Sequence, residues 1–379
     1  MLATFGEVSK SLRRKWNSYS GHYSITQLKS TTCELVNYRL PIHALRMTMD
    51  ACGFQASISE KIWSFRVFFG ILARMSNRMR TISQAGVLLM LVALAPIGQG
   101  RGTVRSGTLN EKLRSAFGNQ QGAAVVVRVQ DAQLLAAYNG SVLTRTVATP
   151  GSSIKPFTLQ YLLQKRLLKQ SDRIACRRPL MVGGVRLNCS HQGGLGAFNA
   201  EEALAFSCNS YFTEAAKRLP PGELERYLRE LGFERPSGLM AGESVGRIST
   251  AETMASRELL AIGAEGIEIT PLELALAYTQ IARWQSAPTA AQRVVLDGLG
   301  GATDYGLAQL AQTKLVKVAG KTGTASNPGN ASTHGWFAGF APADKPQIVV
   351  VVYVEHGRGS LEAATIAHRI FESWKSGVK

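Results

Sequence analysis

Three short stretches of the chain carry side chains whose types and spacing suit nucleophilic catalysis. In TPGSSIKPF (149–157), Ser152 and Lys155 stand at i and i+3, which on a helix puts them on one face within mutual reach. A serine hydroxyl is a weak nucleophile until a base takes its proton. A lysine serves as that base once burial or nearby positive charge lowers its pKa. Gly151 permits close backbone approach, and a helix N-terminus here would stabilise negative charge on a reacting oxygen. The same residues also fit a serine cap followed by a solvated lysine. In LAFSCNSYF (204–212), Ser207 and Asn209 interrupt an alanine-rich apolar run. A hydroxyl there can pass protons and an amide can hold a peptide group through donor and acceptor, although a plain helix start would look the same. In AGKTGTA (319–325), Gly323 inside a strand pattern marks a bulge or a close approach. With Lys321, Thr322 and Thr324 around it, the stretch suits an extended peptide on a sheet edge with its carboxylate near the cation. An ordinary edge strand with a solvated lysine is the alternative.

The elements that must position these residues follow from periodicity. GAAVVVRVQD (122–131) reads as a buried strand and QLLAAYNG (133–140) as its hairpin partner. VKVAGKTGTA, GWFAGFAP and QIVVVVYVEHG read as three further strands near the end of the chain. Residues 109–117, 152–168, 200–218, 222–231, 270–283 and 361–376 follow a helical pattern, and the GGAT and NASTHG stretches read as loops. Strands at both ends around a helical middle predict an α+β domain, its sheet closed by distant segments. The sheet is expected from about 120–140 and 316–357, with a helical subdomain over about 160–315, inside a domain spanning 101–379.

The 379 residues, 45% of them hydrophobic, supply a substantial core. The net charge of +17 is diffuse, with no helix-turn-helix or zinc-finger spacing, so nucleic acid is not an expected partner. A diffuse positive charge suits an anionic membrane surface or cell-wall polymer. GVLLMLVALA (86–95), behind Arg74, Arg78 and Arg80, resembles the apolar core of an export signal. Residues 79–100 therefore read as a signal peptide or membrane anchor, with membrane contact through 84–98, and residues 1–78 as a basic leader outside the mature protein. Cys176 and Cys189 flank the loop CRRPLMVGGVRLNC and are expected to form a disulfide in an oxidising compartment. The six histidines are scattered, with neither H-E-x-x-H nor C-x2-C, so no metal site is expected.

In this order, S-x-x-K, S-x-N and K-T-G resemble the motif set of penicillin-binding proteins and serine β-lactamases. The steps from Ser152 to Ser207 and on to Lys321 look like those of the penicillin-binding protein transpeptidase domain. So do the flanks PGSSIKPF, GAEGIEITPLELALAY (263–278) and GWFAGFAPADKPQIVVVVYVE. The resemblance implies an antiparallel β-sheet sandwiched by helices, with an inserted all-α subdomain and the active site between them. It implies a D-Ala-D-Ala transpeptidase of the cell envelope acting on peptidoglycan stem peptides and trapped by β-lactams. Ser152 would attack the penultimate D-Ala carbonyl, with Lys155 as general base. Ser207 would relay a proton to the leaving amine and Asn209 would orient the peptide amide. Lys321 would support Ser207, and the strand Lys321-Thr322-Gly323-Thr324 would bind the substrate carboxylate. The backbone N–H groups of Ser152 and Thr324 would form an oxyanion hole. No cofactor or metal is implied, and a glycan-polymerising partner is expected. A carboxypeptidase with water as acceptor stays open. A serine β-lactamase is disfavoured by Asn209, where that class usually carries Val, and a non-catalytic sensor by the intact motifs. The stretch LDGLGGATDYGLAQLAQTK (296–314) looks shortened against the family.

Overall fold

The computed structural model of the protein describes residues 106–327 and 332–377. The expected leader and the signal or anchor segment lie outside the described residues. The described chain enters through α1 (Ser106–Phe117), follows β1 (Gly122–Arg128) and returns along β2 (Leu134–Tyr138). After α2 (Gly140–Arg145), a 3-10 turn (Gly151–Ile154) leads into α3 (Lys155–Gln164). The middle of the chain holds β3 (Ile174–Ala175), β4 (Leu180–Val182), β5 (Val185–Leu187), β6 (Ala197–Phe198), α4 (Ala200–Ala205), α5 (Asn209–Ala216) and α6 (Glu223–Glu230). It continues through β7 (Arg247–Ile248), α7 (Met254–Ala261), β8 (Ile267–Glu268), α8 (Pro271–Arg283) and α9 (Ala290–Asp304). Strands β9 (Ala319–Ser326), β10 (Thr333–Ala341) and β11 (Ile348–Val354) precede a π-helical turn (Gly359–Ala363) and α10 (Ala364–Gly377).

Valine-rich runs build the central sheet because branched side chains pack well on a pleated surface. The strand order is β2-β1-β11-β10-β9, antiparallel throughout, so β1 from the start of the domain pairs directly with β11 from its end. Alternation sends Val125, Val127, Val349 and Val351 into one core and Val126, Val350 and Val352 into another. The second core is closed by Leu113 and Phe117 of α1 with Ile370, Phe371 and Trp374 of α10. The first is closed by α3 and α8, where Phe157 meets Phe233 and Tyr278 edge-on at 5.6 Å. Burial on both faces explains why β1 and β11 read as continuous apolar runs rather than alternating ones.

The inserted region is predominantly helical, but it also contains the small ribbons β3–β6, β4–β5 and β7–β8. Capping boxes start four of its helices, as at Thr270 and Glu273 before α8. Three sequence expectations need correction. The helix expected over 200–218 is broken into α4 and α5 at Ser207, whose φ of 54° no continuous right-handed helix accommodates. The GGAT stretch is not a loop but part of α9: a Cβ on Gly298 just before it would lie 3.0 Å from Leu204, so glycine there permits close packing against α4. Of NASTHG, Thr333 to Gly335 open β10.

Candidate active site

The turn bearing Ser152 is held by backbone contacts that leave no room for side chains. Gly151 has φ +54°, and a Cβ there would lie 2.6 Å from the Thr324 carbonyl oxygen. Its N–H donates to Gly263 O at 3.0 Å. Two residues further back, Thr149 O accepts from Trp336 Nε1 at 3.0 Å and lies 2.7 Å from His334 Nε2. The 3-10 turn therefore sits against β9 and β10. Ser153 is fully buried, with its hydroxyl donating to Pro150 O at 2.8 Å and its carbonyl accepting from Tyr278 Oη at 2.9 Å. Ser152, beside it, is only half-buried. The adjacent serines thus differ in burial: Ser153 anchors the turn, and Ser152 keeps part of its surface open.

Lys155 opens α3 one turn later and is fully buried. Its Nζ donates to Asn209 Oδ1 at 2.6 Å, Ser207 O at 2.9 Å and Ser207 Oγ at 3.3 Å. Burial lowers its pKa from the ordinary lysine value to about 8, while the Cys208 and Cys189 sulfurs act in the opposite direction. Ser207 owes its position to the α4–α5 break, a left-handed conformation that costs a non-glycine residue about 1–3 kcal/mol and is characteristic of functional sites. Asn209 begins α5, and its Nδ2 donates to Asn188 O at 2.9 Å.

The K-T-G strand is β9, at the sheet edge. Its glycine marks the approach of the chain's own serine turn: a Cβ on Gly323 would lie 2.3 Å from Pro150 O. Lys321 is fully buried and donates to Thr322 O at 3.0 Å. Burial first, and the charge of Lys155 second, drive its pKa well below the usual lysine range. Thr322 is buried, whereas Thr324 is exposed and its Oγ1 accepts from Gly359 N–H at 2.9 Å. That contact leaves the Thr324 hydroxyl proton free to donate outward. The three motifs, separated in sequence, are brought to one place by the α3, α5 and β9 packing.

The model of the penicillin binding protein transpeptidase domain matches residues 122–372. The chain belongs to this family. It is 28% identical over 264 residues to stage V sporulation protein D of Bacillus subtilis, covering 59% of this chain and 41% of the relative. It is 26% identical over 297 residues to peptidoglycan D,D-transpeptidase MrdA of Acinetobacter baumannii, covering 62% and 43%. The chain thus spans less than half the length of these two relatives. Among solved structures, the transpeptidase domain of Burkholderia pseudomallei penicillin-binding protein 3 superposes with a TM-score of 0.63 at 22% identity, over 71% of this chain and 92% of that one. This agrees with the α+β sandwich fold.

Sequence reasoning missed several parts of this transpeptidase domain. His334 and Trp336 tether the serine turn from β10, and Asn327 Oδ1 lies 2.7 Å from His334 Nδ1. Only a buried histidine in a strand hinted at them. The Cys176 and Cys189 sulfurs, expected to be bonded, lie 3.7 Å apart as free thiols. Contrary to the expectation of no metal site, Cys176, Cys189, His191 and Cys208 form a four-donor cluster, all ligand atoms within 4.8 Å of one another. The signal was Cys189-Ser190-His191, a close donor pair that a search for C-x2-C passes over. Among the described residues no helix is long and apolar enough to cross a membrane.

Proposed function

We propose that this chain is a penicillin-binding serine D,D-transpeptidase that cross-links peptidoglycan stem peptides through an acyl-enzyme on Ser152. The observation that carries this reading is the environment of Lys155: fully buried, lowered to about pKa 8, and bonded to both Ser207 and Asn209. As a free amine it takes the Ser152 proton. Ser152 Oγ then bonds to the penultimate D-Ala carbonyl carbon, and the N–H groups of Ser152 and Thr324 hold the developing oxyanion. The C–N bond to the terminal D-Ala breaks, and Ser207 passes a proton to the departing amine. An amine of a neighbouring stem peptide attacks the ester and releases Ser152. Asn209 orients the peptide amide, and Lys321, Thr322 and Thr324 favour the substrate carboxylate, with Gly323 keeping that strand close to the serine. A β-lactam presents its strained amide to the same oxygen and stays attached.

On this reading the substrate is in the cell envelope, and glycan strands come from a polymerising partner. The relatives named as peptidoglycan D,D-transpeptidases support the amine as acceptor over water. The test is mass spectrometry of products from a D-Ala-D-Ala pentapeptide donor, with and without an amine acceptor. A cross-linked product is expected. Hydrolysis alone would make the protein a carboxypeptidase, and rapid turnover of penicillin would make it a β-lactamase.

A further inference from the structure

The proposed substrate ends in a carboxylate, yet the lysine of the K-T-G strand is poorly suited to meet its charge. Lys321 is fully buried and its Nζ donates to Thr322 O at 3.0 Å. Burial, with the charge of Lys155, favours its neutral amine. That leaves the hydroxyls of Thr322 and Thr324, which are uncharged donors. Along residues 319–327 and the turn 355–363, the other side chains able to carry positive charge are His356 and Arg358, in EHGRGS (355–360). A guanidinium keeps its charge at every working pH.

Backbone contacts bring Arg358 to the exposed end of β9. Gly357 N–H donates to Thr333 O at 2.8 Å and Thr333 Oγ1 donates to Gly357 O at 2.8 Å, which ties the run to the start of β10. Gly359 N–H donates to Thr324 Oγ1 at 2.9 Å. Gly359 has no room to shift, since a Cβ there would lie 2.1 Å from Gly323 O and 2.5 Å from Trp336 O. Arg358 Cα therefore lies within about 5–6 Å of the Thr324 hydroxyl oxygen, a gap that the long arginine stem spans. The side chain is exposed, and among the described residues its guanidinium has no hydrogen bond or ion pair. The neighbouring Glu362 carboxylate is taken by the backbone instead, with Oε2 accepting from Arg358 N–H at 2.6 Å.

We propose that Arg358 binds the terminal carboxylate of the D-Ala-D-Ala substrate together with the Thr324 hydroxyl. The role rests on the transpeptidase reading and assigns the charge that a carboxylate-ended substrate requires. Because Thr324 Oγ1 already accepts from Gly359 N–H, its proton is available to one carboxylate oxygen. The guanidinium fork approaches the same group from the adjoining turn, where its paired N–H donors match carboxylate geometry. No bond is made or broken at Arg358. The contact holds the substrate along β9 while Ser152 reacts, so it is present before and during acylation alike and acts on affinity rather than on the limiting rate. A penicillin, whose ring carboxylate takes the place of the terminal one, uses the same contact.

The experiment is stopped-flow acylation of the full chain by benzylpenicillin and by its methyl ester, in the unsubstituted protein and in Arg358→Gln, Arg358→Lys and Arg358→Glu. With the free acid, Arg358→Gln should lower acylation efficiency about 10–100-fold, the span of one hydrogen bond to a charged group. The loss should appear in the apparent Kd, with the limiting rate and the pH midpoint set by Lys155 unchanged. Arg358→Lys should recover part of it and Arg358→Glu should deepen it. The ester should react poorly and alike with all four proteins, since it carries no charge for the guanidinium to meet. Added salt should slow the unsubstituted chain and leave Arg358→Gln nearly flat. Native efficiency in Arg358→Gln would overturn the proposal. So would an equal loss for acid and ester, which would mean that Arg358 only shapes the turn. An unsubstituted chain that never forms a penicilloyl-enzyme would overturn the transpeptidase reading and this role with it, whereas a chain that acylates normally beside an indifferent variant removes the role of Arg358 alone.

Discussion

Lys155 Nζ and Asn209 Oδ1 lie 2.6 Å apart, joining the helix that follows the proposed nucleophile to the helix that follows the second motif. This bond aims the amine and fixes the amide with one contact. Asn209→Ala should slow penicillin acylation about 100-fold, the order expected when a reacting group is misplaced by about 1 Å. Asn209→Asp separates geometry from charge. A carboxylate at this distance favours the ammonium form, so the pH dependence of acylation should move to higher pH. Stopped-flow labelling with a fluorescent penicillin measures both, and an unshifted Asn209→Asp profile would refute the pairing.

Burial places the Lys155 pKa near 8, below its ordinary value. The sign follows directly: the reactive form is the free amine, whose fraction rises as pH increases through the folded-state pKa. Acylation should therefore climb from pH 6 to a plateau above about pH 8–9 if this amine is the base. Lys155→Met should remove that limb and lower the acylation rate by about 10²–10⁴-fold. Its melting temperature should stay near the native value, because relief of the desolvated cation is offset by the donor lost to Asn209 Oδ1 and the Ser207 carbonyl. A variant that labelled at the native rate would end the general-base assignment.

Much of this was legible because each motif sits where local sequence and tertiary packing agree. The apolar runs 122–128 and 348–354 had to be buried strands, and glycine at 323 announced a close approach. Sequence did not reveal what approached, because Pro150 lies far from Gly323 along the chain and its carbonyl carries no side-chain signature. The α4–α5 break at Ser207 was hidden for a similar reason. Alanine-rich flanks favour a continuous helix, and only packing of the motif imposes the left-handed turn. The Cys176–His191–Cys208 donors escaped because they converge from a loop, a ribbon edge and a helix start. Periodicity relates residues within an element and is silent about such meetings.

Gly323 gives a prediction about positioning. Its added Cβ would sit 2.3 Å from Pro150 O and 3.0 Å from Ser153 N, both backbone atoms that cannot turn aside. Gly323→Ala should push the Ser152 turn off β9, destabilising the fold by about 1–3 kcal/mol and slowing acylation disproportionately. Ser152→Ala supplies the comparison: full loss of labelling with a nearly native melt. Thermal denaturation beside penicillin labelling distinguishes the two, and a Gly323→Ala protein with native acylation would show that the close contact is dispensable.

Tyr278 tests whether the serine turn is rigid by design of the core. Its fully buried hydroxyl donates to Ser153 O at 2.9 Å, from α8 to the turn beside Ser152. Tyr278→Phe keeps the ring against Phe157 but leaves that carbonyl without this donor, which should cost about 1–3 kcal/mol. Because the lost bond holds backbone rather than substrate, the penicillin acylation rate should fall while its pH midpoint stays where Lys155 sets it. A shifted midpoint would mean that Tyr278 acts on the base itself, and an unchanged rate would mean that Gly263, His334 and Trp336 suffice to hold the turn.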